Sequence, residues 1–166
     1  MNLSVSNWAM LICLLVFAGL IWWLEVSGLD DVSGQAKVID GDSLVLPSGK
    51  VRLKGIDAPE GRQDCTKNGQ KWACGRAAAQ ALRRMVTGKE VVCEGRQLDR
   101  YDRLLAFCRV GELEINRAMV REGWAVSFGD QFLKEEHEAR AGRRGLWQGT
   151  FERPAEWRAK DRVFKP

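Results

Sequence analysis

From Trp8 to Leu24 the chain runs 17 residues without a polar side chain. A helix of that length rises roughly 25 Å, just short of the hydrocarbon core of a bilayer. Apolar on every face, it would find too little partner surface within so small a domain, so it is expected to stand apart from the globular part. Trp22 and Trp23 lie where an interfacial aromatic belt would sit. The favoured expectation is an uncleaved membrane anchor through residues 8–24, inside a leading segment 1–28. The other reading is a signal peptide cleaved after Val26-Ser27-Gly28, although a basic n-region is missing. Either way the rest of the chain is expected outside the cytoplasm, in the periplasm or the extracellular space.

Charge follows the same division. The first 34 residues hold Glu25, Asp30 and Asp31 and no Lys or Arg, so the rest carries all 26 basic residues against 19 acidic ones. That net of +7 points to an anionic partner: nucleic acid, acidic lipid or a phosphorylated molecule. With His137 as its one histidine, the chain has no multi-histidine metal site, and a Ser-His-Asp triad is disfavoured. Hydrolytic chemistry would have to run on carboxylates and arginines.

Cys13 lies in the apolar run; Cys65, Cys74, Cys93 and Cys108 follow it. Four cysteines allow three pairings. Cys65 and Cys74 bracket a polar loop, and Cys93 and Cys108 fall in two strand-like runs that could be neighbours, so Cys65–Cys74 and Cys93–Cys108 are the expected disulfides. Such staples suit an exported domain. None of the cysteines has the C-x₂-C spacing of a zinc site.

Residues 29–35, short and acidic with Gly and Ser, read as a linker. Ala36–Leu46 reads as a strand interrupted at Gly41-Asp42. Pro47-Ser48-Gly49-Lys50 makes a turn into Val51–Ile56, and residues 61–72 read as a polar loop. Apolar spacing predicts a helix over Ala73–Val86 that Gly88 ends. Glu90–Glu94 and Leu104–Val110 read as strands, and Ile115, Ala118 and Met119 as one face of a helix closed by Gly123. A brief strand over Trp124–Phe128, a charged helix over Gln131–Ala141, a turn at Gly145-Leu146-Trp147 and a tail over 151–166 complete the reading. Hairpins with interspersed helices indicate an α+β fold, mainly a small β-barrel, over residues 36–150.

Three clusters place charge inside or beside apolar strands, which is costly unless the charge is paired or holds a ligand. They are Val38-Ile39-Asp40-Gly41-Asp42-Ser43, Arg52-Leu53-Lys54-Gly55-Ile56-Asp57-Ala58-Pro59-Glu60, and Asp99-Arg100-Tyr101-Asp102-Arg103. Each has a plainer reading: a hairpin turn, a loop where Pro59 stops a strand, and a solvated charge run. Together they supply the parts of a metal-assisted phosphodiesterase: carboxylates for a hard cation, a carboxylate base, and two arginines to grip a phosphate. Strand alternation puts Arg52 and Asp57 on opposite faces, so both reach one site only if the chain bends, with Gly55 as the obvious place. Lys67, Lys71, Arg76, Arg83 and Arg84 could track a polyanion, although such residues are more often a solvated helix face.

The order I-D-G-D-S, R-L-x-G-I-D-A-P-E, D-R-Y-x-R-L-L-A and N-x-A-M-V-R-E-G-W-A resembles the staphylococcal nuclease (thermonuclease-like) family from about Ala36 to Trp147. The resemblance implies a five-stranded OB-type barrel with three helices, and hydrolysis of DNA or RNA with calcium. By the same resemblance Asp42 and Asp57 would bind calcium through carboxylates and Ala58 through its backbone carbonyl. Glu60 would be the general base, and Arg52 and Arg103 would hold the scissile phosphate. Asp40 would shape the metal's surroundings, and Tyr101, with Arg100 beside it, would contact substrate. The family's prototype has threonine where Ala58 stands, which a backbone ligand tolerates. Its later tyrosines have no clear counterpart here; Phe128 and Phe132 are the nearest aromatics.

The expected function is thus a calcium-dependent, membrane-tethered nuclease, monomeric and with no protein partner evident, whose partner is nucleic acid. The alternatives are a non-catalytic OB-fold module binding nucleic acid or protein, and a structural envelope protein. An intact set of Asp42, Arg52, Asp57, Glu60 and Arg103 favours the enzyme.

Overall fold

The computed structural model describes residues 5–26 and 31–163. The chain divides into two compact units, Met1–Asp30 and Asp31–Pro166. In the first, Val5–Val26 forms one α-helix, α1, with Trp8, Leu15 and Phe17 among its exposed side chains. Among the described residues no helix is long and apolar enough to cross a membrane, so the expected spanning anchor over 8–24 is not found among them. Ser27 and Gly28 of the candidate cleavage site lie outside the described residues.

The second unit contains strands β1 Val32–Gln35, β2 Lys37–Val38, β3 Ser43–Leu46, β4 Gly49–Leu53, β5 Ile56–Asp57, β6 Cys65–Lys67 and β7 Gln70–Trp72, then helix α2 Cys74–Val86. These are followed by β8 Glu90–Leu98, β9 Leu104–Val110, β10 Leu113–Glu114, α3 Ile115–Arg121, β11 Val126–Ser127, α4 Leu133–Ala141, a 3-10 turn Gly145–Gln148 and α5 Pro154–Val163. The main sheet runs β1-β8-β9-β4-β3-β2, with β10 on β9. β1 and β2 are one residue apart in the chain yet occupy opposite ends of that order. A single strand over residues 32–38, bent at Ala36, therefore pairs with β8 on one side and β3 on the other. It draws the two edges together into a five-stranded, nearly closed barrel, the OB-type architecture expected. The β4–β9 pairing is parallel.

Residues 29–35 are thus not simply a linker. Val32 faces Cys93 and Gly34 faces Val91 across a backbone ladder, a role that the Ser-Gly composition conceals because the pairing is made by main-chain groups. Gly41-Asp42 lies in the hairpin turn that joins β2 to β3, where Lys37 pairs with Val45, and does not interrupt one continuous strand. The polar stretch 61–72 holds the β6–β7 hairpin, turned by Asn68 (φ 51°) and Gly69 (φ 76°), the positive-φ pair that a two-residue hairpin turn requires. Residues 151–166, read as a tail, contain α5.

The core lies between barrel and helices. Leu44, Val51 and Leu53 of β3 and β4 meet Leu82 and Met85 of α2 and Ile115 and Met119 of α3. Burial of each such side chain contributes roughly 1.5–3 kcal/mol. Cys93 and Cys108 are directly opposed on β8 and β9 and form a disulfide at a Cα separation of 4.1 Å. The second disulfide, Cys65–Cys74, joins β6 to the start of α2 at 5.6 Å. Both expected pairings are present. Asn116, fully buried on α3, accepts from the Cys108 N–H and donates to the Lys54 and Ala106 carbonyls, which ties the helix to the end of β4.

Candidate active site

The turn before β3 carries Asp42, the end of β4 carries Arg52, and β5 carries Asp57. The bend between β4 and β5 occurs at Gly55, whose φ of +78° suits glycine. After the bend the chain leaves the main sheet and β5 pairs with β11. Arg52 and Asp57 are thereby turned to the same side, as the bend at Gly55 was expected to do. The segment after β5 brings Glu60 alongside. Gly75 holds that segment close to α2: a Cβ there would fall 1.7 Å from the Glu60 carbonyl oxygen.

These groups form one connected polar network. The Arg52 guanidinium donates from Nη1 to Asp42 Oδ1 at 2.9 Å and from Nη2 to Asp57 Oδ1 at 3.1 Å. The Asp42 carboxylate also accepts from Ser43 Oγ at 3.0 Å and from the Ala58 N–H at 3.0 Å. The Asp40 carboxylate accepts from the Asp42 N–H and so shapes the turn. Asp42 and Asp57 are only 3% and 2% exposed. Burial pushes the Asp42 carboxyl up to about 7; Arg52 opposes the rise, while Asp40 and Asp57 add to it.

Arg103 joins the network from the loop between β8 and β9. It donates from Nη1 to Ser43 Oγ at 3.1 Å and pairs with Asp99 at 2.6 Å. The Asp99 carboxylate also accepts from the backbone N–H groups of Tyr101 and Arg103, which fixes the loop. Burial pulls the Asp99 carboxyl upward, but these hydrogen bonds and the Arg103 charge together hold it below the usual range.

Above the network lies a cleft of about 1160 Å³. Arg52, Glu60, Arg103, Tyr101, Arg100 and Phe128 are among the residues that line it. Tyr101 stacks under the guanidiniums of Arg100 and Arg103, at 4.9 and 5.4 Å. Tyr101 and Phe128 are 59% and 67% exposed, so both present ring surface at the cleft. Phe132 does not: it is fully buried and packs edge-on against Phe107. Lys67, Lys71, Arg76, Arg83 and Arg84 do not line the cleft.

The donors beneath the cleft suit a hard divalent cation such as calcium: two buried carboxylates close enough to share one guanidinium, with the Ala58 main chain beside them. Among the described residues no group of three or more His, Cys, Asp or Glu side chains is placed to hold a metal. Water or substrate oxygens would have to complete the six to eight ligands that calcium takes.

One residue of the site was missed. Arg158, on α5, donates from Nη1 and Nη2 to the two Asp57 oxygens at 2.8 and 3.0 Å, and from Nη1 to Glu60 Oε1 at 3.1 Å. It stands 101 residues from Asp57, in a stretch that matches none of the motifs quoted above. No spacing rule could have found it. Burial works against its charge, but bonding to Asp57 and Glu60 raises its pKa above the ordinary arginine value.

Residues 50–149 match the protein family described as staphylococcal nuclease homologue. Protein ParB of Escherichia coli is 35% identical over 157 residues, which cover 82% of this chain and 81% of that protein. An uncharacterized endonuclease of Escherichia coli O157:H7 is 34% identical over 129 residues, covering 70% and 78%. A probable staphylococcal-like nuclease of Oryza sativa, CAN3, is 30% identical over 143 residues, but the match spans only 36% of its length.

Proposed function

The chain belongs to the family of staphylococcal nuclease homologues, and we propose that it is a calcium-dependent nuclease hydrolysing phosphodiester bonds of DNA or RNA. The observation that carries this reading is the connected network: Asp42, Arg52, Asp57, Glu60 and Arg103 all lie in or under one cleft. A binding module would have no need to concentrate so many charges around buried carboxylates. The relatives named as nucleases and endonucleases support the same class of reaction.

In this reading Asp42, Asp57 and the Ala58 carbonyl hold calcium. Bound there, the ion supplies positive charge to offset that of the phosphodiester and to favour ionisation of the attacking water. The chain's own groups do the rest. Glu60, with its side chain 31% exposed at the cleft, takes the proton of the water as its oxygen bonds to phosphorus, while the opposite P–O ester bond breaks and the leaving oxygen takes a proton from solvent. Arg52 and Arg103 line the cleft; the N–H groups they do not spend on carboxylates and Ser43 meet the phosphate oxygens and stabilise the charge that builds in the transition state. Asp42 and Asp99 fix those two guanidiniums beforehand, so little reorganisation is needed when substrate arrives. Tyr101 and Phe128 offer stacking surfaces for bases, a sequence-tolerant form of binding. The two disulfides suit an oxidising compartment, which supports a site of action outside the cytoplasm.

Digestion of single- and double-stranded DNA and RNA over a calcium titration tests the proposal. Cleavage should appear with calcium, stop on chelation and fail in Glu60→Gln. Activity that persists with chelator or in that variant would overturn the mechanism.

A further inference from the structure

The mechanism above leaves α5 without a task, although one of its side chains reaches the site. Arg158 engages both oxygens of Asp57 and one oxygen of Glu60. A guanidinium 2.8 and 3.0 Å from the two Asp57 oxygens sets a positive charge beside the position a calcium ion would take, 2.3–2.6 Å from the same oxygens. The two cations repel each other and compete for one carboxylate. Glu60 shares the same guanidinium, so one of its two oxygens is already engaged.

Apart from Arg158, α5 is lightly attached. Of its described side chains only Pro154 is buried. Trp157, Arg158 and Asp161 line the cleft and are only partly covered. Arg62 latches the helix: its guanidinium lies 5.3 Å from the Trp157 ring and pairs with Asp161. Apart from the Arg158 pairs, these contacts are partly exposed and lack an apolar core, as in elements that open first.

We infer that α5 is a self-inhibitory strap, in which Arg158 stands in for the divalent cation at Asp57, restrains Glu60, and is displaced when cation and substrate enter the cleft. This rests on reading Asp57 as a metal ligand and Glu60 as the base. A protein whose competent state is only partly populated binds its ligand more weakly by that fraction, so loosening the strap should tighten calcium binding.

The test is calcium titration by calorimetry of the full chain and of its Arg158→Ala and Trp157→Ala variants, with hydrogen exchange followed in α5. Trp157→Ala keeps every charge, so a gain there reports the strap and not a more acidic site. The expected result is an apparent Kd about tenfold lower in both variants, and faster exchange of α5 amides in the wild-type chain when calcium is added. Equal affinities in all three proteins would overturn the strap and leave the nuclease reading standing. So would a gain confined to Arg158→Ala with α5 exchange indifferent to calcium. If none of the three binds calcium, both readings fall.

Discussion

Arg52 and Asp57 are five positions apart in the chain and hydrogen-bonded at 3.1 Å across the bend at Gly55. The positive φ of Gly55 ends one strand and starts another on a different partner. Asp57 therefore escapes the alternation that would have turned it away from Arg52. A side chain at position 55 would adopt a strained backbone and bring its Cβ within 3.1 Å of the buried Phe132 ring. Gly55→Ala should lower both stability and activity, read from denaturant melts and nuclease assays on the same preparation.

Arg52 bridges two carboxylates that are almost fully buried. Arg52→Ala leaves Asp42 without the guanidinium it pairs with and should destabilise the fold by about 3–5 kcal/mol. Arg52→Lys keeps the charge but cannot reach both carboxylates with one planar fork, so it should recover part of the stability and little of the activity. Urea denaturation and initial cleavage rates separate the two effects.

Glu60 contributes little packing, because its side chain is partly exposed. Glu60→Gln should cut kcat about 10²–10⁴-fold while leaving the melting temperature nearly unchanged. A similar loss of melting temperature would instead assign Glu60 a structural role.

The Asp42 carboxyl is raised from 3.8 to about 7 in the folded chain, so the native state holds its proton more tightly than the unfolded state. Its contribution is present below the unfolded value and is lost as pH rises toward 7. With divalent cations chelated, the wild-type chain should therefore lose stability between about pH 4 and pH 7. Asp42→Asn, which does not titrate, should lose less over the same interval. Urea midpoints measured across that range for both proteins decide it.

Tyr101 and Phe128 present exposed rings at the cleft. Replacement of either by Ala should weaken binding of single-stranded substrate by about 1–3 kcal/mol, the worth of one stacked base. The loss should show in KM more than in kcat. Phe132→Ala should instead destabilise the fold by about 3–5 kcal/mol through the cavity it leaves.

The amino-acid order by itself determined the barrel and both disulfides, and it marked the charged clusters that the fold brings together at one cleft. Strand and helix periods repeat locally, and the charged clusters stand out because they interrupt apolar runs. It also located the bend at Gly55, since alternation could not otherwise bring Arg52 and Asp57 together. The tertiary structure decided what depends on distant partners. Residues 32–35 become a strand because β8 offers a backbone edge to them, which no side chain announces. Ser43 joins Arg103 to Asp42 only because β3 lies beside the loop that carries Arg103. Arg158 enters the site from the far end of the chain, and its position is set by where α5 docks. Local periodicity records which face of an element is buried. It carries no record of which remote cation a buried carboxylate will meet, because that pairing exists only once the chain has closed on itself.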